Sequence, residues 1–448
     1  MRIFKPALKV FLTLTIFFTM DAVMSFALIP YGSRSEVTWS DYRVQDSIDT
    51  VIVGTSLGER AFDPAVLDAE CGSKSFNLCT PSQSIEESIM AVEKAMDDHD
   101  IKRVIFAFDM NVAEDSHFPA PNSAFILNKD RGDIPSYFRD ALFCLTDSRC
   151  YTTSDSLNWI FPWVKNHVKL MPSNVVANVS MKCQGVSLEE AANVNGNGWI
   201  YYGSGYGNFS QTIDKNKGKT STYSSISGKK DLDSRKLESL ERLCDLCTAN
   251  GVELTVVFMP WPAYSVFDYG EQYFEKTGQI ESLVEDCDQT YFNLEFAKPE
   301  LFDVSGDDIF ADNQHMNDAG AQEASAALGR LIAMQKMGQD TDSLFRTKSE
   351  FDSEMAYVDM VKLTAKVQGN QVDLKAKALA GSKAKVEYRY FVKADGAKDW
   401  EPISDWTTDR EIRYQSDEPG KRVFRVNARL IGSDAHWERY REVKATIK

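Results

Sequence analysis

The amino-acid sequence predicts an α/β protein built on a parallel β-sheet, with an apolar segment before it and a small antiparallel β-sandwich after it. Three observations carry this. Between residues 48 and 340, short and almost wholly apolar runs alternate with amphipathic helical segments, the pattern of strands covered by helices on both faces. From about residue 355 the pattern changes to alternating segments separated by turn residues, as in a half-buried antiparallel sheet. A long apolar stretch lies near the start. At 448 residues the chain has room for two or three folded units. Its 43% hydrophobic and 26% charged residues are ordinary globular values and exclude a disordered or polytopic membrane chain. The 66 acidic and 50 basic residues leave a net charge of −16, a field that repels nucleic acid.

Residues 1–30 form an export signal. Arg2, Lys5 and Lys9 precede an apolar run from Val10 to Ile29, broken only by Thr13, Thr15, Thr19, Asp21 and Ser25. Roughly 20 such residues span a bilayer as a helix, with the basic residues left on the cytoplasmic side. The run exceeds the ~7–15 residues of a secretory core, which favours a retained anchor. The alternative is a signal peptide cleaved near Ala27, where Ser25 and Ala27 are small. Either way the remainder is expected outside the cytoplasm. At bilayer depth Asp21 calls for a partner, or else for a place near the outer interface. Residues 31–47 are expected to be a polar stalk.

Eight cysteines in an exported chain point to disulfides, with Cys144 and Cys150, then Cys71 and Cys79, as the best-spaced pairs. Cys244 and Cys247 share one face of a predicted helix, Ser234–Asn250, and are expected to pack in the core or to pair with Cys183 or Cys287. No second CxxC or nearby His completes a zinc site.

The α/β domain, 48–340, opens with the β-branched strand Thr50–Gly54. A second strand follows at Phe76–Leu78, a helix at Ile85–Asp98 and a third strand at Arg103–Asp109. Helix Ser234–Asn250 is closed by Gly251, which supplies a left-handed cap before a fourth strand, Val252–Met259. Tyr291–Leu294 is a weaker fifth strand and Ala319–Met337 an Ala-rich helix. A large insertion at about 112–233 separates the third and fourth strands, too long for a simple crossover. Within it, Asn193–Ser210 crowds Gly and Asn against Trp199, Tyr201, Tyr202, Tyr206 and Phe209. Two expectations stand for these rings: an aromatic wall that binds a sugar chain, or a loop pinned by its own aromatics. Residues 355–448 carry six or seven short strands. Val386–Tyr390, Trp400 and Gly420–Val426 there resemble fibronectin-like modules, a spacer or glycan-binding accessory.

In a parallel sheet, ligands bind beyond the carboxyl ends of the strands. The loop after the first strand is Gly54-Thr55-Ser56-Leu57-Gly58-Glu59, and Gly54 lets the chain turn sharply to present the Ser56 hydroxyl. Taken alone, Ser56 is equally a helix cap. The second element is the stretch Asp308–Gly320. His315, one of only five histidines, follows Asp312 by three residues. Asp-x-x-His on a turn lets the carboxylate accept from one imidazole nitrogen while the other takes a proton from a serine. Taken alone, this pair is equally a cap or half of a metal site.

Together these stretches resemble the SGNH, or GDSL-type, family of serine esterases and acyltransferases over about residues 48–335. The resemblance rests on VIVGTS around Ser56, Phe62-Asp63-Pro64 with Leu67, Phe76-Asn77-Leu78, Gly251 with Val252–Pro260, and the DNQH ending at His315. Within the family the chain is similar to the membrane-anchored cell-surface branch, which includes the alginate O-acetyltransferases and the D-alanyl-lipoteichoic acid transfer protein. The resemblance implies a three-layer α/β/α flavodoxin-like fold and a triad of Ser56 as nucleophile, His315 as base and Asp312 as its orienting acid, with no cofactor or metal. There are two departures. Cys79–Ser84 lacks the glycine of the family's second block, and Asp109-Met110-Asn111 replaces Gly-x-Asn of the third. Asn111 is the oxyanion candidate, or else a cap for the next segment. The implied function is an extracytoplasmic esterase or O-acyltransferase acting on acyl, chiefly acetyl, esters of a cell-envelope polysaccharide, with a polytopic membrane O-acyltransferase as possible partner. The alternative is a catalytically inactive scaffold that binds glycan through the aromatic loop and the sandwich.

Overall fold

Val51, Ile52 and Val53 are β-branched and fully buried, and they form the middle of β1, Thr50–Gly54. In this computed structural model, residues 4–114, 163–164, 172–214, 216, 231–306 and 308–447 are described. They fall into two compact units. The first comprises Met1–Ser210, Leu232–Val257 and Val284–Tyr291; the second comprises Gln211–Asp231, Phe258–Leu283 and Phe292–Lys448.

The first unit carries the five-stranded sheet. Around β1 stand β2 (Ser75–Asn77), β3 (Arg103–Phe108), β6 (Glu253–Phe258) and β7 (Thr290–Asn293), in the order β2-β1-β3-β6-β7, while β4 (Ile200–Gly203) and β5 (Tyr206–Asn208) form a separate antiparallel pair. Both neighbours of β1 run parallel to it, with Val51 opposite Phe76 on one side and Val104 on the other. The chain moves from β1 outward to β2, then returns across β1 to β3. That reversal puts the crevice of the sheet beyond the carboxyl ends of β1 and β3. Helix Ile85–Asp98 starts in a capping box of Ser84 and Glu87 and packs on β1. Helix Ser234–Asn250 ends at Gly251 with φ 66°, a left-handed turn that suits glycine. Lys236 on that helix reaches the Glu86 carboxylate of helix Ile85–Asp98 at 3.0 Å, both buried, and the Ser239 hydroxyl donates to the same group.

Two expectations need revision here. Residues 31–47 do not form a stalk: Arg34–Tyr42 is helix α2, capped by Ser33, with Val37, Trp39 and Tyr42 buried. Its polar composition conceals the Trp39 and Tyr42 rings, three residues apart on one face. Cys71 and Cys79 form no disulfide with each other. Cys71 lies against the Ser73 hydroxyl, while burial, reinforced by nearby Glu59, pushes the Cys79 pKa up. Cys144 and Cys150 lie outside the described residues. In the second unit Phe292–Lys448 clusters with Phe258–Leu283, and the antiparallel strands begin at Val358. The Asp359 carboxylate accepts from the Tyr264 amide at 2.8 Å, and Met360 packs with Tyr264 and Leu379.

One described helix, α1 (Phe4–Leu28), is long and apolar enough over Pro6–Leu28 to cross a membrane, and Val10, Phe11 and Ile16 are exposed on it. Asp21 accepts a 2.7 Å hydrogen bond from the Trp163 indole. At the helix end Lys182 donates to the carbonyls of Phe26 and Ile29, and Asn178 donates to those of Ala27 and Ile29. These are the carbonyls that a helix terminus leaves without intrahelical partners.

In the second unit, strands β8 (Val358–Gln368), β9 (Gln371–Ala380) and β12 (Glu411–Gln415) form one antiparallel sheet. The other sheet holds β10 (Val386–Ala394), β11 (Glu401–Pro402), β13 (Gly420–Leu430) and β14 (Arg439–Ile447). Val361 and Leu374 from the first sheet share a core with Tyr390, Phe424 and Val426 from the second.

A polar contact adds to the apolar packing that holds α2 in its unit. The buried Tyr201 hydroxyl donates to Asp41 at 2.6 Å, and the Ser204 amide donates to the same carboxylate oxygen. Replacing Tyr201 by Phe should lower the unfolding free energy by about 2 kcal/mol, the worth of a buried hydrogen bond to a charge. Urea unfolding checks this. An unchanged midpoint would remove Asp41 as the clasp of α2.

Candidate active site

The site expected from sequence divides into two parts, one in each unit. In the first, Gly54 ends β1 at φ 145°, where a Cβ would run into the Ala107 carbonyl. The strand therefore turns at once. Thr55 follows, and its hydroxyl accepts from the Leu57 amide at 3.2 Å and donates to Asp109 Oδ2 at 2.9 Å. Asp109 lies just past β3. Its other oxygen accepts from both the backbone and the side-chain amide of Asn111, each at 2.9 Å. One carboxylate thus ties the turn after β1 to the turn after β3, at the crevice defined by strand order. Within Val51–Arg60 every residue is buried except Ser56, which is partly exposed. Asn77 steadies the loop behind it by donating to the carbonyls of Gly58 and Phe62.

The two sequence departures acquire a physical meaning. Asn111 donates to Asp109 through both its backbone and side-chain amides, so Asp109 and not Asn111 is the capping acceptor there. In the glycine-free stretch Cys79–Ser84, Ser82 adopts φ 60°, so the left-handed backbone occurs there without glycine.

In the second unit, residues 309–317 fold back on themselves. The Ala311 amide donates to the His315 carbonyl at 2.9 Å, and the Asn317 amide donates to the Ile309 carbonyl at 3.0 Å. Inside this loop Asp312 Oδ1 accepts from the amides of Gln314 and His315, at 3.0 and 2.9 Å. His315 Nδ1 stands 2.9 and 3.0 Å from the two Asp312 oxygens. A carboxylate only accepts, so the proton of the neutral imidazole sits on Nδ1 and the Nε2 lone pair is left to act as a base. Burial raises the Asp312 pKa, but the His315 hydrogen bond and charge, with two backbone amides, outweigh it and hold the carboxyl well below the usual range.

The loop is clamped from both ends. The Tyr264 hydroxyl donates to Asn313 Oδ1 at 2.6 Å, and the Ser265 hydroxyl donates to the Asn313 carbonyl at 3.0 Å. Asn317 caps helix Asp318–Lys336 by accepting from the Gly320 amide, and its own amide donates to the Asp308 carbonyl. Gly320 packs so closely on the Ile309 carbonyl that no Cβ fits.

Asp312 and His315 therefore meet within one unit, while Ser56, Asp109 and Asn111 belong to the other. The aromatic loop does not form the wall that was one of its two expectations. Trp199, at 1% exposure, Tyr201 and Tyr206 are buried, with Gly207 against the Trp199 ring and Asp41 on the Tyr201 hydroxyl. Tyr202 alone of the four is exposed, at 52%, and stacks on Tyr206 at 5.5 Å. Sequence reasoning missed Thr55, Asp109 and Tyr264. A Thr directly after the strand glycine and an Asp ending an apolar strand are the signals that could have found the first two. Among the described residues, no cluster of His, Cys, Asp and Glu could hold a metal ion.

No protein-family model matches the chain, and no curated protein matches it. Among solved structures, a Bacteroides fragilis protein with a provisional acylhydrolase description is 6% identical, covering 66% of this chain and 94% of its own, at a TM-score of 0.33. The β-glucosidase 3B of Thermotoga neapolitana is 10% identical, with coverages of 90% and 75% and a TM-score of 0.14. At such TM-scores these likenesses carry no argument.

Because the folded Asp312 pKa lies below its unfolded value of ~3.9, its contribution to stability is complete above that value and is lost as pH falls through the folded one. A carboxyl carbon-13 titration should therefore place the Asp312 midpoint below that of a free aspartate. A midpoint at or above the free value would dissolve the Asp312–His315 pair.

Proposed function

We propose that this protein is an extracytoplasmic, membrane-anchored serine esterase or O-acyltransferase of the SGNH type. It acts on acyl esters, chiefly acetyl, of a cell-envelope glycan. The observation that carries the reading is the Asp312–His315 pair, a deprotonated carboxylate that fixes Nδ1–H and leaves Nε2 as the base. Support from the other unit is Ser56, a partly exposed residue at the switch point of a parallel sheet.

In this mechanism the Ser56 oxygen attacks the acyl carbonyl while its proton passes to His315 Nε2. The tetrahedral intermediate expels the alcohol, which takes that proton, and leaves an acyl-serine. A sugar hydroxyl or water then attacks the acyl-serine, again deprotonated by Nε2, and Ser56 is regenerated. Asp312 stabilises the imidazolium at each passage, and the Ser56 amide with Asn111 meets the oxyanion. Helix α1 remains as the anchor, its terminal carbonyls occupied by Asn178 and Lys182.

Release of acetate from 4-nitrophenyl acetate by the full chain tests the reading. Ser56→Ala and His315→Ala should each lower kcat at least about 1000-fold, and Asn111→Ala about 100-fold. Equal rates for wild type and Ser56→Ala would remove Ser56 from the chemistry.

A further inference from the structure

The outer end of α1 is gripped from the side by the rest of its unit. Trp163 donates to Asp21, which precedes the end of α1 at Leu28 by seven residues, about 10 Å of helix. The apolar stretch Pro6–Leu28 measures about 35 Å, against a hydrocarbon core of about 30 Å. With α1 across a bilayer, the Trp163 indole therefore reaches below the outer surface of the hydrocarbon. Higher up, Lys182 and Asn178 of helix Pro172–Gln184 hold the carbonyls of Phe26, Ala27 and Ile29, and Asn178 also accepts from the Tyr31 amide. Helix Pro172–Gln184 thus meets α1 at the boundary between acyl chains and headgroups.

That helix does not have the outer face of a water-facing helix, which is normally charged. Lys182 is the one charged residue in Pro172–Gln184, in a chain that is 26% charged. It is turned to the α1 carbonyls and lies 5.2 Å from the centre of the Phe26 ring. Ser173, Asn174, Val176, Ala177, Cys183 and Gln184 are exposed, and none is ionic at neutral pH. Between this helix and the end of α1 lies a cleft of about 210 Å³, lined chiefly by Ala27, Leu28, Pro30, Val175, Ala177 and Met181. On α1, Ile16, Met20 and Val23 precede Ala27 at helical spacing on the same face, and all three are exposed. One apolar strip therefore runs along α1 and ends in the cleft.

We propose that the cleft is a lipid site, in which an acyl chain of an outer-leaflet phospholipid follows Met20 and Val23 and enters against Leu28 and Met181. The helix Pro172–Gln184 is then a second membrane contact, lying in the interface beside the anchor. With Lys182 on the α1 carbonyls and a net charge of −16, the attraction is to the chain and not to an anionic headgroup. The proposal rests on the membrane-anchored reading of α1 and deepens it by naming what lies against the anchor. Its test reads lipid contact and not turnover, so the acyl-transfer chemistry and this site can fail separately.

The experiment is photolabelling of the full chain in phosphatidylcholine vesicles that contain a phosphatidylcholine with a diazirine on one acyl chain. Peptide mass spectrometry should find adducts on α1 and also on Pro172–Gln184. Ala177→Glu and Met181→Glu should each lower labelling of Pro172–Gln184 at least about fivefold while labelling of α1 persists, because a carboxylate is costly in an apolar lipid site. Neither side chain is buried, so both variants should fold, and unchanged far-ultraviolet circular dichroism checks this. Adducts on α1 without any on Pro172–Gln184 overturn the proposal and leave the anchor standing, as would follow if a membrane protein fills the cleft. Unaltered labelling in the two folded variants also overturns it. Absence of adducts on both segments overturns the anchor together with the site.

Discussion

A carboxylate and an imidazole three residues apart share a hydrogen bond only if the chain between them turns back on itself. In residues 309–317 that turn is secured by two cross-loop backbone bonds and by Asp312 itself, which accepts two amides as well as the imidazole nitrogen. The same carboxylate thus builds the loop and sets the tautomer of His315. Backbone amides reduce the freedom of the carboxylate, so the imidazole is held in one orientation without depending on a long flexible side chain. Asn313, clasped by Tyr264 and Ser265, extends the constraint to a neighbouring helix.

The same device recurs wherever a loop matters. Asp109 collects the Thr55 hydroxyl and both Asn111 amides, and so couples the turns after β1 and β3. Asp41 collects the Tyr201 hydroxyl and the Ser204 amide, and so fastens α2. Asp359 receives the Tyr264 amide at the start of its helix. Charge-assisted bonds of this kind are about twice as strong as neutral ones, which suits them to fixing irregular backbone. Part of the chain's acidic excess is thus structural and lies inside turns.

Features governed by local chemistry were legible in the sequence. The apolar run Thr50–Gly54, the helix Ile85–Asp98 and the cap at Gly251 fall where pattern and glycine place them. Asp312 and His315 were legible as a pair because their spacing is local. Features that depend on distant partners were not. The polar segment Arg34–Tyr42 is a buried helix because Trp39 and Tyr42 find a core that composition does not reveal. Trp199 and Tyr206 suit a sugar wall and a buried clasp equally well, and only their neighbours decide for the clasp. The link between Thr55 and Asp109 joins two strands whose adjacency is set by topology.

The proposed chemistry turns on one step, activation of the Ser56 hydroxyl by the His315 imidazole. The most direct measurement is the rate at which a fluorophosphonate modifies Ser56, followed by peptide mass spectrometry in wild type and in His315→Ala. The account predicts one adduct on the Ser56 peptide and a collapse of its rate in the variant. A wild-type protein that takes no label at Ser56, or a variant labelled as fast as wild type, would contradict it.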